Sequence, residues 1–236
     1  MNLIPQAVRV GGMRLLGPLV QLLVRLHIRP NTITTVGTLV VVASAVAFAL
    51  GRVHWGGALL LLSGIFDMLD GRVARDGGGR TTLGAFYDST LDRVGEAALF
   101  TGIAVYFLRG GVPPERVTLA VVLCCIAMGS SLIVSYARAR AEALGFEGNV
   151  GIAQRAERIL LLGIATLFFG AGTNGALLVW LMLALALATA ITVVQRVVHV
   201  ARATGEDERS SEAPRAVRSR DTLPGHAPAL QARKGR

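Results

Sequence analysis

The sequence predicts an all-α integral membrane protein with six transmembrane helices preceded by an interfacial amphipathic helix. Three observations lead there. Hydrophobic residues make up 53% of the 236-residue chain and charged ones only 17%, with a mean hydropathy of +0.56, whereas soluble domains keep about a quarter of their residues charged. Six apolar stretches approach the roughly 20 residues that span a bilayer, at about 32–50, 56–75, 84–108, 115–143, 153–172 and 175–200. The cations fall mainly outside those stretches or near their ends. Such a composition excludes a disordered chain, a collagen-like repeat and a disulfide scaffold, and leaves too little polar side chain to cover a soluble enzyme.

Residues 5–28 carry Arg9, Arg14 and Arg25 among Val, Leu and Met, the pattern of a helix lying in the interface rather than crossing it. Residues 1–30 therefore form a first segment. Pro30 punctuates the chain, and Asn31 or Thr32 is expected to cap the first span. Residues 31–203 form the six-helix domain, in which Gly37, Gly64, Gly95 and Gly102 permit close helix contact. Trp55 is expected to anchor at an interface and Trp180 to pack within the last span. Cys124 and Cys125 adjoin in an apolar run and are expected to pack, not to form a disulfide or a thiolate metal site. His27, His54, His199 and His226 are far apart and show no zinc-type spacing. No signal-peptide pattern is read before the first span. Residues 204–236 combine Pro, Ser, Ala and mixed charge without a hydrophobic period, which predicts a disordered tail.

The formal charge is +9, yet its distribution argues against nucleic acid as a partner. A nucleic-acid surface gathers its cations on one wet face; here Arg9, Arg14, Arg25 and Arg29 precede the first span, Arg72, Arg75 and Arg80 surround the second connection, and Arg138, Arg140, Arg155 and Arg158 surround the fourth. The connections at 51–55, 109–116 and 170–175 carry fewer cations. The positive-inside bias then predicts a multi-pass cell-membrane protein with both termini in the cytoplasm.

Chemistry concentrates at the second and third spans. Asp67 and Asp70 are three residues apart, Asp88 and Asp92 four, so each pair shares a helix face, and a Gly-rich turn at 76–80 could bring the four together. A single aspartate at a helix end is usually a cap or a solvated group; four at membrane depth repel one another and lose hydration. Divalent cations resolve that conflict, because Mg²⁺ and Mn²⁺ prefer oxygen ligands and bridge carboxylates to phosphates. Gly71 permits close backbone approach and Arg75 offers a planar donor fork to a phosphate.

The run Asp67-x2-Asp70-Gly71-x2-Ala74-Arg75-x8-Gly84-x3-Asp88-x3-Asp92 resembles the signature of the CDP-alcohol phosphatidyltransferases, and the similarity extends over about residues 28–200. The resemblance implies a six-helix membrane enzyme, usually a homodimer, with a polar cavity open to the cytoplasm. It implies two divalent ions per site, Mg²⁺ or Mn²⁺, and displacement of CMP from CDP-diacylglycerol or a related CDP-lipid by an acceptor hydroxyl. Carried over, Asp67, Asp70, Asp88 and Asp92 are metal ligands, Asp92 also takes the acceptor's proton, and Gly71, Arg75, Thr81 and the segment from Asn31 to Thr34 touch the CDP group.

The acceptor is read from three later segments: Ser135-Tyr136-Ala137-Arg138-Ala139-Arg140-Ala141-Glu142, Gln154-Arg155-Ala156-Glu157-Arg158 and Gln195-Arg196. These look like the branch of the family that makes phosphatidylinositol phosphate, and its archaeal counterpart. The resemblance implies that Arg138, Arg155, Arg158 and Arg196 hold the phosphate of inositol 1-phosphate, a small phosphorylated polyol. Two positions depart from the branch, which commonly has Lys where Arg138 stands and Pro where Ala156 stands. The same arginines would also serve as cytoplasmic anchors, and Glu157 either pairs with one of them or is a solvated surface group. Glycerol phosphate, the acceptor of a phosphatidylglycerophosphate synthase, is the rival within the family. A divalent-cation transporter is the rival from another class, although the paired repeats and interrupted helices of transporters are not evident. A non-catalytic lipid-binding relative is a third, against which the intact carboxylate set argues.

Overall fold

A computed structural model describes residues 17–77, 81–146, 151 and 154–212, with side chains described through residue 205. Its regular elements are all helical: α1 (residues 17–25), α2 (Pro30–Ala49), α3 (Val53–Asp76), α4 (Thr82–Tyr106), α5 (Pro114–Ala143), α6 (Arg155–Phe169) and α7 (Ala176–Glu212). A π-helical turn, Phe107–Gly111, follows α4, and a 3₁₀ turn, Thr173–Gly175, precedes α7. The chain divides into two units, residues 1–200 and 201–236; of the second, residues 201–212 are described and are helical.

Each of the six apolar stretches is helical, and three helices are long and apolar enough to cross a membrane: α2, α5 and the stretch Thr173–Gly205 containing most of α7. The other three fall short for visible reasons. Helices α3 and α4 carry the acidic and basic residues of the motif, and α6 is only 15 residues long. Residues 1–16 lie outside the described part, so of the segment 5–28 only α1 and the turn after it are described. There Val20 is buried while Leu19 and Leu22 are exposed, and Val20 packs with Ile33, Leu69 and Val73.

The main core is built from α2 against α3 and α4, α3 against α6, and α4 against α5. Phe48, Leu60, Ile103, Leu162, Leu178 and Met182 are fully buried within it. Small residues let the backbones approach. A Cβ on Gly102 would stand 2.7 Å from both Cα and C of Ala45, and one on Gly57 would stand 2.6 Å from the amide nitrogen of Leu167. Similar approaches occur at Gly37, against Phe66 Cβ at 2.9 Å, and at Gly64 and Gly95, against Ile159 and Val41 at 3.3 Å. Such contact replaces the hydrophobic driving force that lipid cannot supply between helices. Ser44 adds a polar tie, donating to the carbonyl oxygen of Gly56 at 2.7 Å.

Four expectations are corrected. Helix α2 begins at Pro30 itself, with Arg29 as its N-cap and no side-chain cap, so neither Asn31 nor Thr32 caps it. Proline has its helical φ pre-set and no N–H to satisfy, which suits the first turn. Trp180 is 67% exposed and faces away from the core rather than packing in it. Of the two cysteines only Cys124 is buried; Cys125 is exposed. Finally, α7 continues past Thr204 to Glu212, while 213–236, the rest of the expected tail, lies outside the described residues.

The contact at Gly102 yields a test. Gly102→Val places a branched side chain against the α2 backbone and should destabilise the bundle by about 1–3 kcal/mol, seen as a lower thermal unfolding midpoint of the purified protein in detergent.

Candidate active site

The first turns of α2, the second half of α3 and the first turns of α4 enclose a cavity of about 410 Å³. Its wall includes Asn31, Thr34, Asp70, Gly71, Thr81 and Asp88, six of the residues singled out from the sequence. The start of α4 is held by a local cap, since the Gly84 amide donates to Thr81 Oγ1 at 2.9 Å. A Cβ at 84 would meet Thr81 Oγ1 at 2.9 Å and Asn31 Oδ1 at 3.2 Å, so a side chain there would disturb the capping hydroxyl. At Gly71 a Cβ would meet nothing nearer than the Arg75 guanidinium, at 3.9 Å. Among the described residues no backbone of another element comes within 4 Å of that position; the bare main chain of Gly71 lines the cavity, with Arg75 close by.

The carboxylates divide between the cavity and the adjoining interior. Asp70 is buried and accepts a hydrogen bond from Thr34 Oγ1 at 2.8 Å. Asp67, Asp70 and Asp88 stand within one another's electrostatic field. Asp92 is three-quarters buried or more and pairs with Arg93 at 3.4 Å. The strongest feature is Arg155, at the first residue of α6. Its Nη1 pairs with Asp92 Oδ1 and, at 3.2 Å, with Asp67 Oδ2. One guanidinium thus joins the α3 pair of the motif to the α4 pair. Among the described residues no three Asp, Glu, His or Cys side chains converge closely enough to hold one ion; Arg155 supplies the positive charge between Asp67 and Asp92.

The remaining arginines lie on the α5, α6 and α7 side. Arg158 is buried and donates through Nη2 to Glu96 Oε1. Arg196 is buried and donates to the backbone carbonyl of Val134. Arg138 is half-exposed and pairs with Glu142 at 2.8 Å, one turn along α5. Arg196 lies in the field of Arg138, Arg158 and Arg93, with Glu142 opposing them, so these cations form one basic region, which Arg155 adjoins through Arg158. Glu157 Oε2 accepts the Gln154 backbone N–H at 2.9 Å in a capping box that starts α6.

Two participants escape the sequence motif. Tyr87 shares a hydrogen bond of 2.9 Å with Thr35 and ties α4 to α2 beside the cavity. Glu96 is buried against Arg158. The signal for Glu96 was present, since 88, 92 and 96 continue one four-residue spacing along α4.

The chain is similar in sequence and fold to known proteins. The family model "CDP-alcohol phosphatidyltransferase" matches residues 27–194. The phosphatidylinositol phosphate synthase of Cutibacterium acnes is 40% identical over 203 residues, covering 83% of this chain and 96% of that protein. The enzyme of that name from Streptomyces avermitilis is 36% identical, covering 85% and 83%. The crystal structure of the Mycobacterium tuberculosis phosphatidylinositol phosphate synthase with CDP-DAG bound superposes with a TM-score of 0.68 at 34% identity, covering 79% of this chain and 94% of that one. Its complex with manganese and citrate gives 0.68 at 33%, covering 78% and 87%.

Thr34→Val keeps the shape of the cavity wall but leaves the buried Asp70 without its hydroxyl donor. The variant should lose about 1–3 kcal/mol, measurable by denaturant or thermal unfolding in detergent.

Proposed function

The chain belongs to the CDP-alcohol phosphatidyltransferase family, and we propose that it transfers the phosphatidyl group of CDP-diacylglycerol, or a closely related CDP-lipid, to inositol 1-phosphate with release of CMP. One observation carries the reading: Asn31, Thr34, Asp70, Gly71, Thr81 and Asp88 line a single cavity of about 410 Å³, with Asp67 and Asp92 joined through Arg155 beside it. A transferase of this family replaces the cation-transporter alternative. The inositol phosphate acceptor, rather than glycerol phosphate, is supported by the names of the relatives and by the basic region of Arg138, Arg158 and Arg196.

In this reading Asp67, Asp70, Asp88 and Asp92 hold two divalent ions, Mg²⁺ or Mn²⁺. The donor set fits hard cations: all four groups offer carboxylate oxygens, and two of them already share a cation in Arg155. Bound there, the ions neutralise the pyrophosphate and improve CMP as a leaving group. Asn31, Thr34, Gly71, Arg75 and Thr81 hold the CDP group, the bare backbone at Gly71 admitting a phosphate and Arg75 offering its planar fork. The acceptor hydroxyl attacks the phosphatidyl phosphorus while the bond to the CMP oxygen breaks. Asp92 takes the hydroxyl proton as general base, which requires Arg155 to yield its contact. Arg138, Arg155, Arg158 and Arg196 hold the acceptor's phosphate, which the carboxylates alone would repel.

The remaining organisation belongs to the same proposal. The bundle crosses the cell membrane six times, residues 1–30 lie in the interface, and two copies pair as a homodimer. Both termini are cytoplasmic, as the arginines around the second and fourth connections favour. Leu39, Trp180 and Phe168, all strongly exposed, suit contact with lipid.

Three measurements test the proposal. Purified protein with CDP-diacylglycerol and Mg²⁺ or Mn²⁺ should release CMP with inositol 1-phosphate much faster than with glycerol phosphate, inositol or serine; preference for another of these acceptors overturns the specificity. Asp92→Asn should lower kcat by at least about 100-fold while the CDP-lipid still raises the thermal midpoint. Arg196→Ala should raise the acceptor KM about tenfold or more, by loss of a charge-assisted contact, with the CDP-lipid KM nearly unchanged.

A further inference from the structure

Glu96 stands outside the family motif, one helical turn beyond Asp92 on α4. It is 7% exposed, as is Arg158, and Arg158 Nη2 donates to its Oε1. Its other oxygen, Oε2, is buried without a hydrogen-bond partner, and so is Nε of Arg155. Glu96, Arg155 and Arg158 line one small cavity of about 20 Å³, closed by apolar side chains such as Leu162 and Leu185. A single carboxylate therefore sits between the arginine that reaches Asp67 and Asp92 and the arginine of the basic region.

A buried ion pair adds little stability over an apolar pair of the same volume, because desolvation offsets its attraction. Its effect here is on orientation. Arg155 shows what a neighbouring arginine does near the aspartates: it turns onto them. Arg158 lies one helical turn further along α6 and is held on Glu96 instead. Glu96 also supplies negative charge on the side where Arg196 lies in the field of Arg138 and Arg158.

We infer that Glu96 is a positioning residue which fixes the Arg158 guanidinium for the phosphate of the acceptor and keeps it off the aspartates. A guanidinium whose plane is already set loses less freedom when the phosphate docks. The inference deepens the proposed reaction and rests on its basic pocket.

The test measures CMP release by the full-length protein in detergent, with KM determined separately for inositol 1-phosphate and for CDP-diacylglycerol. Glu96→Gln should raise the acceptor KM about tenfold, leaving the CDP-lipid KM within about twofold and kcat less affected. Glu96→Asp, which keeps the charge, should recover most of that loss. Arg158→Gln should raise the acceptor KM as well, and adding Glu96→Gln to it should do little more, since both act through one contact. The double variant removes both charges, so it keeps the comparison open if Glu96→Gln alone, with its stranded Arg158, fails to fold. An unchanged acceptor KM in Glu96→Gln, or fully additive effects in the double variant, overturns the positioning role. An unchanged acceptor KM in Arg158→Gln overturns the phosphate pocket itself, which separates the two failures.

Discussion

Four aspartates carried by two helices, α3 and α4, that both pack on α2 in an apolar protein set the constraint on which the rest of the structure depends. Carboxylates that lose water and face one another are tolerated only when positive charge is brought to them. The chain supplies that charge from a distance. Arg155, at the start of α6, reaches Asp67 on α3 and Asp92 on α4, and Thr34 on α2 covers Asp70 with a hydroxyl. The elements that frame the site are therefore tied to it by its own electrostatics as well as by the apolar core. Divalent ions would answer the same need, and Asp67 and Asp92, which pair with Arg155, offer the carboxylate oxygens that such ions prefer.

Close helix packing makes this placement possible. Gly102 brings α4 against the α2 backbone at Ala45, and Gly57 brings α3 against α6 near Leu167. Side chains at these points would spread the helices and separate the carboxylates from Thr34 and Arg155. The polar ties Ser44 to Gly56 and Thr35 to Tyr87 hold the same helices where lipid gives no hydrophobic drive toward association. The apolar core and the chemical site are thus two ends of one packing arrangement, with Val20, Ile33, Leu69 and Val73 closing a second small core near the cavity end.

Much of the site was legible because its signals are local. Three- and four-residue spacings on helices align side chains whatever the tertiary context, so Asp67 with Asp70 and Asp88 with Asp92 could be read directly, and Thr81 and Gly84 occupy positions that a helix start demands. Expectations that depended on what lies across from a residue fared less well. Trp180 turned outward, and Pro30 took the first turn that Asn31 or Thr32 was expected to cap. The outward tryptophan follows from the solvent, because in a membrane apolarity does not distinguish a core face from a lipid face.

The sequence alone determined the helical class, the six apolar segments as helices, and the carboxylate spacing that identifies the chemistry, because each is written in a period of a few residues. Only the tertiary structure decided which arginine neutralises which acid. Arg158 meets Glu96 and Arg196 meets Val134 across 62 residues of chain in each case, and Arg155 and Arg158, three residues apart, serve different carboxylates. Cations of equal charge are interchangeable in a composition; they become distinct only when packing fixes the distance from each to an acid.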